Sequence, residues 1–536
     1  MYKFERLGVM IDMSRNAVMS VPALKKYFDM LAKMGYNTVL LYTEDTYEID
    51  GEPFFGYMRG RYTKNELKEL DDYAFERGIE LIPCIQTLAH LNATIRWGQF
   101  PRDIDDILLV GNERCYQLID RMLATCSECF RTRRIHVGMD EAHNLGRGAY
   151  LNENGYQTVD VIMKRHLEKI VELTGKYGYE VMMWSDMFFN RWTGGRYYVE
   201  KTDIPKEYID AKPDCVTPVY WDYYHTEEKC FDDMIYNHKQ FSGNTWFAGG
   251  IWTWSGFAPN NDYSLRSMIP ALNACRRGRI KNIFFTMWGD NGGECSRLAA
   301  LPALFYLAEY AKGHTDEEKI KAKFKRFTGV EFDEFMAIDL PNYVTVPKDS
   351  APRNPAKYML YSDCFNGFLD GTVKRGCSEE YGDAANKLFA IAKKSRRYGY
   401  LFDNMAKLCA VCEVKAELGI KTREAYLNGD KEALRRLATE DYPEAIRRVK
   451  KFAASNEKQW MAENKPEGYD VQDIRLGGVL ARLDSCRRRL LDYVEGRVDD
   501  IHELSFELIP HGPKEEGMMF NDVLKNMSCG VMYWGV

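Results

Sequence analysis

"RRIHVGMDEAHNLGRG", residues 133–148, sets an apolar run against a pair of charges. Ile135 to Met139 has the character of a short buried strand, and it ends in two adjacent acids, Asp140 and Glu141. Successive side chains of a strand point to opposite faces, and neighbouring anions repel. The pair is therefore either a solvated turn or two carboxylates held together for chemistry. If the strand ends at Met139, alternation stops and both acids can turn to the same side.

Seven other runs of the same kind surround this one. "LGVMIDMS" (7–14), "NTVLLYTED" (37–45) and "IELIPCIQTLAH" (79–90) precede it. "YEVMMWSDMFF" (179–189), "CVTPVYWDYY" (215–224), "NTWFAGGIWTW" (244–254) and "KNIFFTMWGD" (281–290) follow. They are almost continuously apolar, as strands covered on both faces must be. Between them lie amphipathic stretches of helical period. "VPALKKYFDMLAKMG" places Leu24, Phe28, Leu31 and Met34 on one face and stops at Gly35. "TKNELKELDDYAFERG" opens on a Thr cap and closes on Gly78. Eight strand–helix units predict a closed (β/α)8 barrel over residues 1–315. A doubly wound open sheet would usually carry a Gly-rich phosphate turn after its first strand, and "IDMSRNAVMS" has none.

The C-terminal ends of these runs share a feature. Asp12 and Arg15, Glu44 and Asp45, His90, Asp140 and Glu141 stand at the first four. Trp184 and Asp186, Trp221 to Tyr224, Trp252 and Trp254, and Trp288 and Asp290 stand at the rest. Barrel enzymes build their sites at this face, so a ring of polar and aromatic residues there predicts an active site. After about residue 315 the alternation stops. A Pro-rich segment, 341–358, leads into long charged helical patterns at 378–423, 430–464 and 471–496, which predicts an all-α domain over 316–536.

Composition bounds the function. The 536 residues carry a formal net charge of -6, which speaks against a nucleic-acid partner. No run approaches the roughly 18 apolar residues of a membrane span, and the start "MYKFERLGVMIDMS" lacks a secretory pattern. The 14 cysteines lie scattered in apolar segments, so a cytoplasmic location is the expectation. The pairs Cys126/Cys129 and Cys409/Cys412 fall within helical patterns without a nearby His, and read as buried thiols. No metal or cofactor is expected. Ten Trp and 34 Tyr suit large cores, and equally a cleft for something with apolar faces, such as a sugar.

Two adjacent carboxyls suit acid catalysis, because each makes the other harder to ionise and one can stay protonated near neutral pH. Ordinary glycosidases hold two carboxyls about 5 to 9 Å apart on opposite sides of the bond. Adjacent acids suit a scheme in which one protonates the leaving oxygen and the substrate supplies the nucleophile.

"HVGMDEA" resembles the strand-four signature of glycoside hydrolase family 20, the β-N-acetylhexosaminidases. Arg15 resembles the family's arginine for the non-reducing sugar's hydroxyls. His90 resembles the strand-three histidine that supports the acid, with Glu44 or Asp45 behind it. Glu44 is counted with the substrate contacts and Asp45 as support. Trp184, Trp221 and Trp288 resemble the indoles that box the acetamido methyl, and Trp252 is counted with them. Asp290 of "MWGD" resembles a sugar-binding acid, where the family usually has Glu. The strand-seven Tyr-x-Asp pattern is not recognisable. Tyr223, in phase with Trp221, is preferred over Tyr220 and Tyr224 for the acetamido oxygen. Strand one begins almost at once, so the resemblance is to a compact bacterial type without the family's common N-terminal α/β domain.

The resemblance implies an exo-acting retaining β-N-acetylhexosaminidase acting on glycans with terminal N-acetylhexosamine. Glu141 would be the acid and base, and Asp140 would orient the acetamido group as it attacks to form an oxazolinium. Two other readings stay open: a two-carboxylate β-glycosidase with Asp290 or Glu294 as nucleophile, and a sugar-binding barrel without catalysis. His136 reads as structural. The aromatic loop 44–62 reads as a lid, a subsite wall or packing. With the helical domain, it offers surface for a homodimer.

Overall fold

The computed structural model describes residues 2–347 and 349–509; the last part of the expected helical domain, 510–536, lies outside the described residues. The chain divides into two compact units. One comprises 1–251, 264–288 and 304–316, and the other comprises 252–263, 289–303 and 317–536.

The first unit is a closed barrel of eight parallel strands in sequence order. They are β1 (Arg6–Asp12), β2 (Thr38–Tyr42), β3 (Glu80–Cys84), β4 (Arg134–His136), β5 (Glu180–Trp184), β6 (Val216–Trp221), β7 (Trp246–Gly250) and β8 (Asn282–Met287). Pairing of β1 with β8, Ile11 opposite Met287, closes the ring. Met10, Leu40, Ile82, Met182, Val219, Ala248 and Phe284 fill the interior, each at most 2% exposed. This packed centre leaves function to the rim.

The helices form where the sequence directs. In α1 (Val21–Met34) the Ser20 side chain accepts from the Ala23 N–H, and Gly35 ends the helix in the left-handed region. Leu24, Phe28, Leu31 and Met34 are all buried. In α2 (Lys64–Phe75) Thr63 and Glu66 make a reciprocal capping box.

Each strand is shorter than its apolar run, so the polar ends of the runs belong to loops. The run 179–189 breaks at Ser185, and a helix starts at Asp186. The most consequential break is at β4. Its ladder continues through the bond from Val137 N–H to Met182 O, and then the backbone leaves the pleat. Gly138, Met139 and Glu141 have φ of 73°, 69° and 52°. These left-handed residues defeat alternation and carry both acids out at the barrel's C-terminal end. Two are not glycine, which costs roughly 1–3 kcal/mol each and is typical of functional sites. Gly138 is required sterically: a Cβ there would lie 1.9 Å from Gln86 Oε1 and 2.9 Å from Ile85 O.

The second unit is helical. Cys377–Lys394 packs on Gly399–Lys415, which packs on Tyr442–Glu463, and Tyr469–Val494 packs against the last of these. The cysteines of both CxxC pairs are buried free thiols.

Replacing Gly138 by Ala should both strain the left-handed backbone and push Gln86 from its place. We expect a loss of stability of at least about 1 kcal/mol with a larger loss of activity. Thermal unfolding and turnover measured together check this. A variant as stable and active as the parent would show that the kink is not needed.

Candidate active site

The acids sit at the centre of a charged network on the barrel mouth. Asp140 is 9% exposed, whereas the Glu141 side chain is 49% exposed. His90, itself at φ 56°, brings Nε2 to 3.2 Å from Asp140 Oδ2 and 3.6 Å from Glu141 Oε2. Gln86 donates from Nε2 to Asp140 Oδ1 at 2.8 Å and accepts the Met139 N–H at 3.1 Å. The same amide therefore holds the kink and the carboxylate.

Electrostatics follow from this contact. Burial disfavours the His90 cation, but the charge and hydrogen bonding of Asp140 outweigh it and push the imidazole up to about 10. Burial likewise opposes ionisation of Asp140, while His90 and the Gln86 amide hold it below the usual carboxylate range. Mutual repulsion of the adjacent acids therefore does not govern Asp140. Asp186 is pushed up, to about 7, through its burial and then the Asp140 charge. Asp186 accepts the Glu141 backbone N–H at 3.0 Å and the Trp221 indole N–H at 3.4 Å.

Beside the acids is a cationic corner. Arg15 reaches Asp12 at 3.3 Å and Glu44 at 3.5 Å, and its guanidinium lies 4.9 Å from the Tyr42 ring and 5.1 Å from the Trp288 ring. Tyr42 donates to Glu44 at 3.1 Å and accepts from Gln86 at 2.9 Å, which links this corner to Asp140. Burial raises Glu44, and Arg15 opposes the rise.

The aromatic wall is layered. Trp221 and Trp288 are half-buried. Trp184 is 1% exposed and lies deeper, against His136 at 4.4 Å and Trp288 at 6.1 Å. Tyr223 stacks on Trp221 at 5.4 Å, and its hydroxyl is hydrogen-bonded with Trp288 and Thr286. Tyr220 instead donates to Asp222 at 2.8 Å, and Tyr224 is 49% exposed. His136 is buried, accepts the Gly138 N–H at 3.1 Å, and is pushed down to about 3 by burial.

The structure thus brings together Arg15, Glu44, His90, Asp140, Glu141, Trp184, Trp221, Tyr223 and Trp288 within the first unit. Trp252 and Asp290 fall in the second unit, where Trp252 stacks on Trp254 at 4.2 Å. Asp45 does not back His90. It is bound by Arg59 at 2.8 Å, and the acid at His90 Nδ1 is Asp106, at 3.9 Å. Asp106 comes from a return of the chain after β3, which strand-end reasoning does not reach. Gln86 and Tyr42 have no strand-end address in the sequence, and Asp12 and Asp186 stand in the strand-end ring without an individual part. An amide inside the apolar run 79–90 was the signal for Gln86.

The His90–Asp140 pair makes a signed prediction. A histidine with raised pKa stabilises the fold fully below its ordinary value of 6.5 and loses that contribution as pH rises toward about 10. The lowered Asp140 adds stability above its ordinary 3.8 and loses it as pH falls through about 2. His90→Gln should therefore differ most from the parent between pH 4 and 6.5, with the gap closing toward pH 10. Melting temperatures across pH check this, and a gap constant to pH 10 would mean a neutral imidazole.

Two family models match the sequence. "Glycosyl hydrolase family 20, catalytic domain" matches residues 4–208, and "Glycoside Hydrolase 20C C-terminal domain" matches residues 333–521. The chain is 23% identical over 348 residues to hexosaminidase D of Bos taurus, covering 59% of this chain and 94% of that protein. Against hexosaminidase D of Homo sapiens the identity is 23% over 368 residues, covering 61% and 70%. Among solved structures, a β-N-acetylhexosaminidase from Bacteroides fragilis aligns with a TM-score of 0.46 at 19% identity, covering 60% and 70%. An exo β-N-acetylglucosaminidase from Vibrio harveyi in complex with N-acetylglucosamine aligns with a TM-score of 0.47 at 17% identity; the chain spans 58% of it and 63% of this chain is covered. With a family 20 catalytic match over most of the barrel and a family 20 C-terminal match over the helical unit, the chain belongs to glycoside hydrolase family 20.

Proposed function

We propose that the protein is an exo-acting retaining β-N-acetylhexosaminidase that works through the substrate's own acetamido group. The observation that carries this reading is the kinked end of β4, which sets Asp140 and Glu141 side by side against His90. Glu141, the more exposed acid, protonates the glycosidic oxygen and later takes a proton from water. Asp140, kept ionised by His90 and Gln86, receives the acetamido N–H and stabilises its charge as the carbonyl oxygen attacks the anomeric carbon. Tyr223 donates to that oxygen. Trp221 and Trp288 wall the N-acetyl group, and Trp184 supports them from beneath. Arg15 and Glu44 take hydroxyls of the terminal sugar. Asp186 holds the Glu141 backbone and the Trp221 indole, and so fixes acid and wall together.

The two-carboxylate alternative loses one of its nucleophiles. Glu294 is buried in the second unit between Lys357 at 2.7 Å and Arg475 at 2.9 Å, a structural ion pair. The free thiols of the described residues support a reducing compartment such as the cytoplasm.

Release of nitrophenol from the β-N-acetylglucosaminide and from the plain β-glucoside should differ sharply, with only the former cleaved. Comparable cleavage of both would mean that the protein supplies a nucleophile. Glu141→Gln should cut turnover about 10²–10⁴-fold on poor leaving groups with little change in substrate binding. Asp140→Asn should lose about 2.7–4 kcal/mol of transition-state stabilisation, read from kcat/KM.

A further inference from the structure

The loop that follows Glu141 wraps around one buried carboxylate. Asp103 is 6% exposed. Its Oδ2 accepts the Gly146 N–H at 2.5 Å, and its Oδ1 accepts the N–H groups of Gly148 at 3.1 Å and Tyr150 at 2.9 Å. The Asp103 backbone carbonyl takes the Ala149 N–H at 3.0 Å. Backbone donors removed from water need acceptors, and a carboxylate is a strong one. Glycines make the close wrap possible. Gly146 is left-handed at φ 78°, and a Cβ on Gly148 would lie 2.1 Å from the Asp103 carbonyl oxygen.

Asp103 belongs to a small hairpin, 101–109, on the segment that returns after β3. The Asp103 N–H bonds to Ile107 O at 2.9 Å, and the Leu109 N–H bonds to Pro101 O at 3.0 Å. The same hairpin holds His90. Asp106 Oδ2 accepts the His90 N–H at 3.1 Å, and the Leu108 N–H bonds to Leu88 O at 2.9 Å. One closed piece of chain therefore grips the backbone of His90 and the loop after Glu141 together. A further tie runs from Asn144 Nδ2 to Asp105 Oδ2 at 2.8 Å.

Glu141 depends on such a grip. Its side chain is half open to water, so packing fixes it little, and the backbone that carries it must set its position. Asp186 holds the Glu141 N–H on one side. On the other, the Glu141 carbonyl accepts the His143 N–H at 2.7 Å, and the chain runs on into the Asp103 anchor at Gly146.

We infer that Asp103 is a positioning residue for the reaction: by gathering the N–H groups of Gly146, Gly148 and Tyr150 it sets Glu141 in register with His90 and the departing oxygen. This rests on the glycosidase reading above, with Glu141 as the acid. Asp103→Asn keeps the size of the side chain but turns one acceptor oxygen into a donor, so part of the wrap loses its partner. The test measures kcat/KM on phenyl and on dinitrophenyl β-N-acetylglucosaminide. Phenol is a poor leaving group and needs the proton of the acid, whereas dinitrophenolate departs without it. A displaced Glu141 should therefore lower the ratio of phenyl to dinitrophenyl kcat/KM, by about ten- to a hundredfold. General loosening of the fold would lower both alike. Asn144→Ala, which cuts only the tie to Asp105, should lower the ratio about threefold. Melting curves establish that each variant folds. An unchanged ratio in folded Asp103→Asn overturns the positioning role and leaves the glycosidase reading standing. Where Asp103→Asn does not fold, an unchanged ratio in Asn144→Ala does the same. A parent that cleaves neither substrate overturns both.

Discussion

Asp140 is a buried carboxylate beside a second acid, and the His90 cation facing it, helped by the Gln86 amide, keeps it ionised. The arrangement depends on this one contact. It lets Asp140 sit at the floor of the mouth as an anion while Glu141 stands more open beside it. The contact requires two strained positions, His90 and the kink at Met139 to Glu141, both in the left-handed region. Gln86 couples them, since one amide accepts from the kinked backbone and donates to the carboxylate. The barrel supplies the rigidity that makes such strain affordable, with its interior filled and its ring closed.

A second layer sets the shape of the site. Tyr42 carries the network from Gln86 to Glu44 and Arg15, so the Arg15 corner is continuous with the acids. Asp186 ties the backbone of Glu141 to Trp221, which joins the acid to the apolar wall. Its carboxyl is raised to about 7 by burial and by the charge of Asp140. In the second unit, Glu294 is fully used in an ion pair, which favours a nucleophile drawn from the substrate.

Much of this was legible in the sequence. Period and caps identify α1 and α2, and continuous apolar runs with polar ends identify eight strands and the face that carries the site. The ends of the runs also put the Asp140–Glu141 pair, Arg15, His90, Trp221, Tyr223 and Trp288 at one face of the barrel. What was less legible depended on contacts distant in sequence. Asp106 reaches His90 from a return loop, and Asp45 is drawn off by Arg59, fourteen residues away. Trp184 has the same strand-end address as Trp221 and Trp288, yet it packs a layer lower.

The sequence by itself determined the period of each element, the parallel barrel those elements close into, and the chemical types arrayed at its mouth, because periodicity and strand-end position are local properties. Tertiary structure alone decided which carboxylates ionise and which neighbours hold them, because charge, burial and hydrogen bonding are set by side chains that only the closed barrel brings within a few ångströms. The answer to why two acids stand side by side after β4 lies in both. The chain encodes a glycine where the strand must leave its pleat, and the fold places a histidine where the resulting charge must be met.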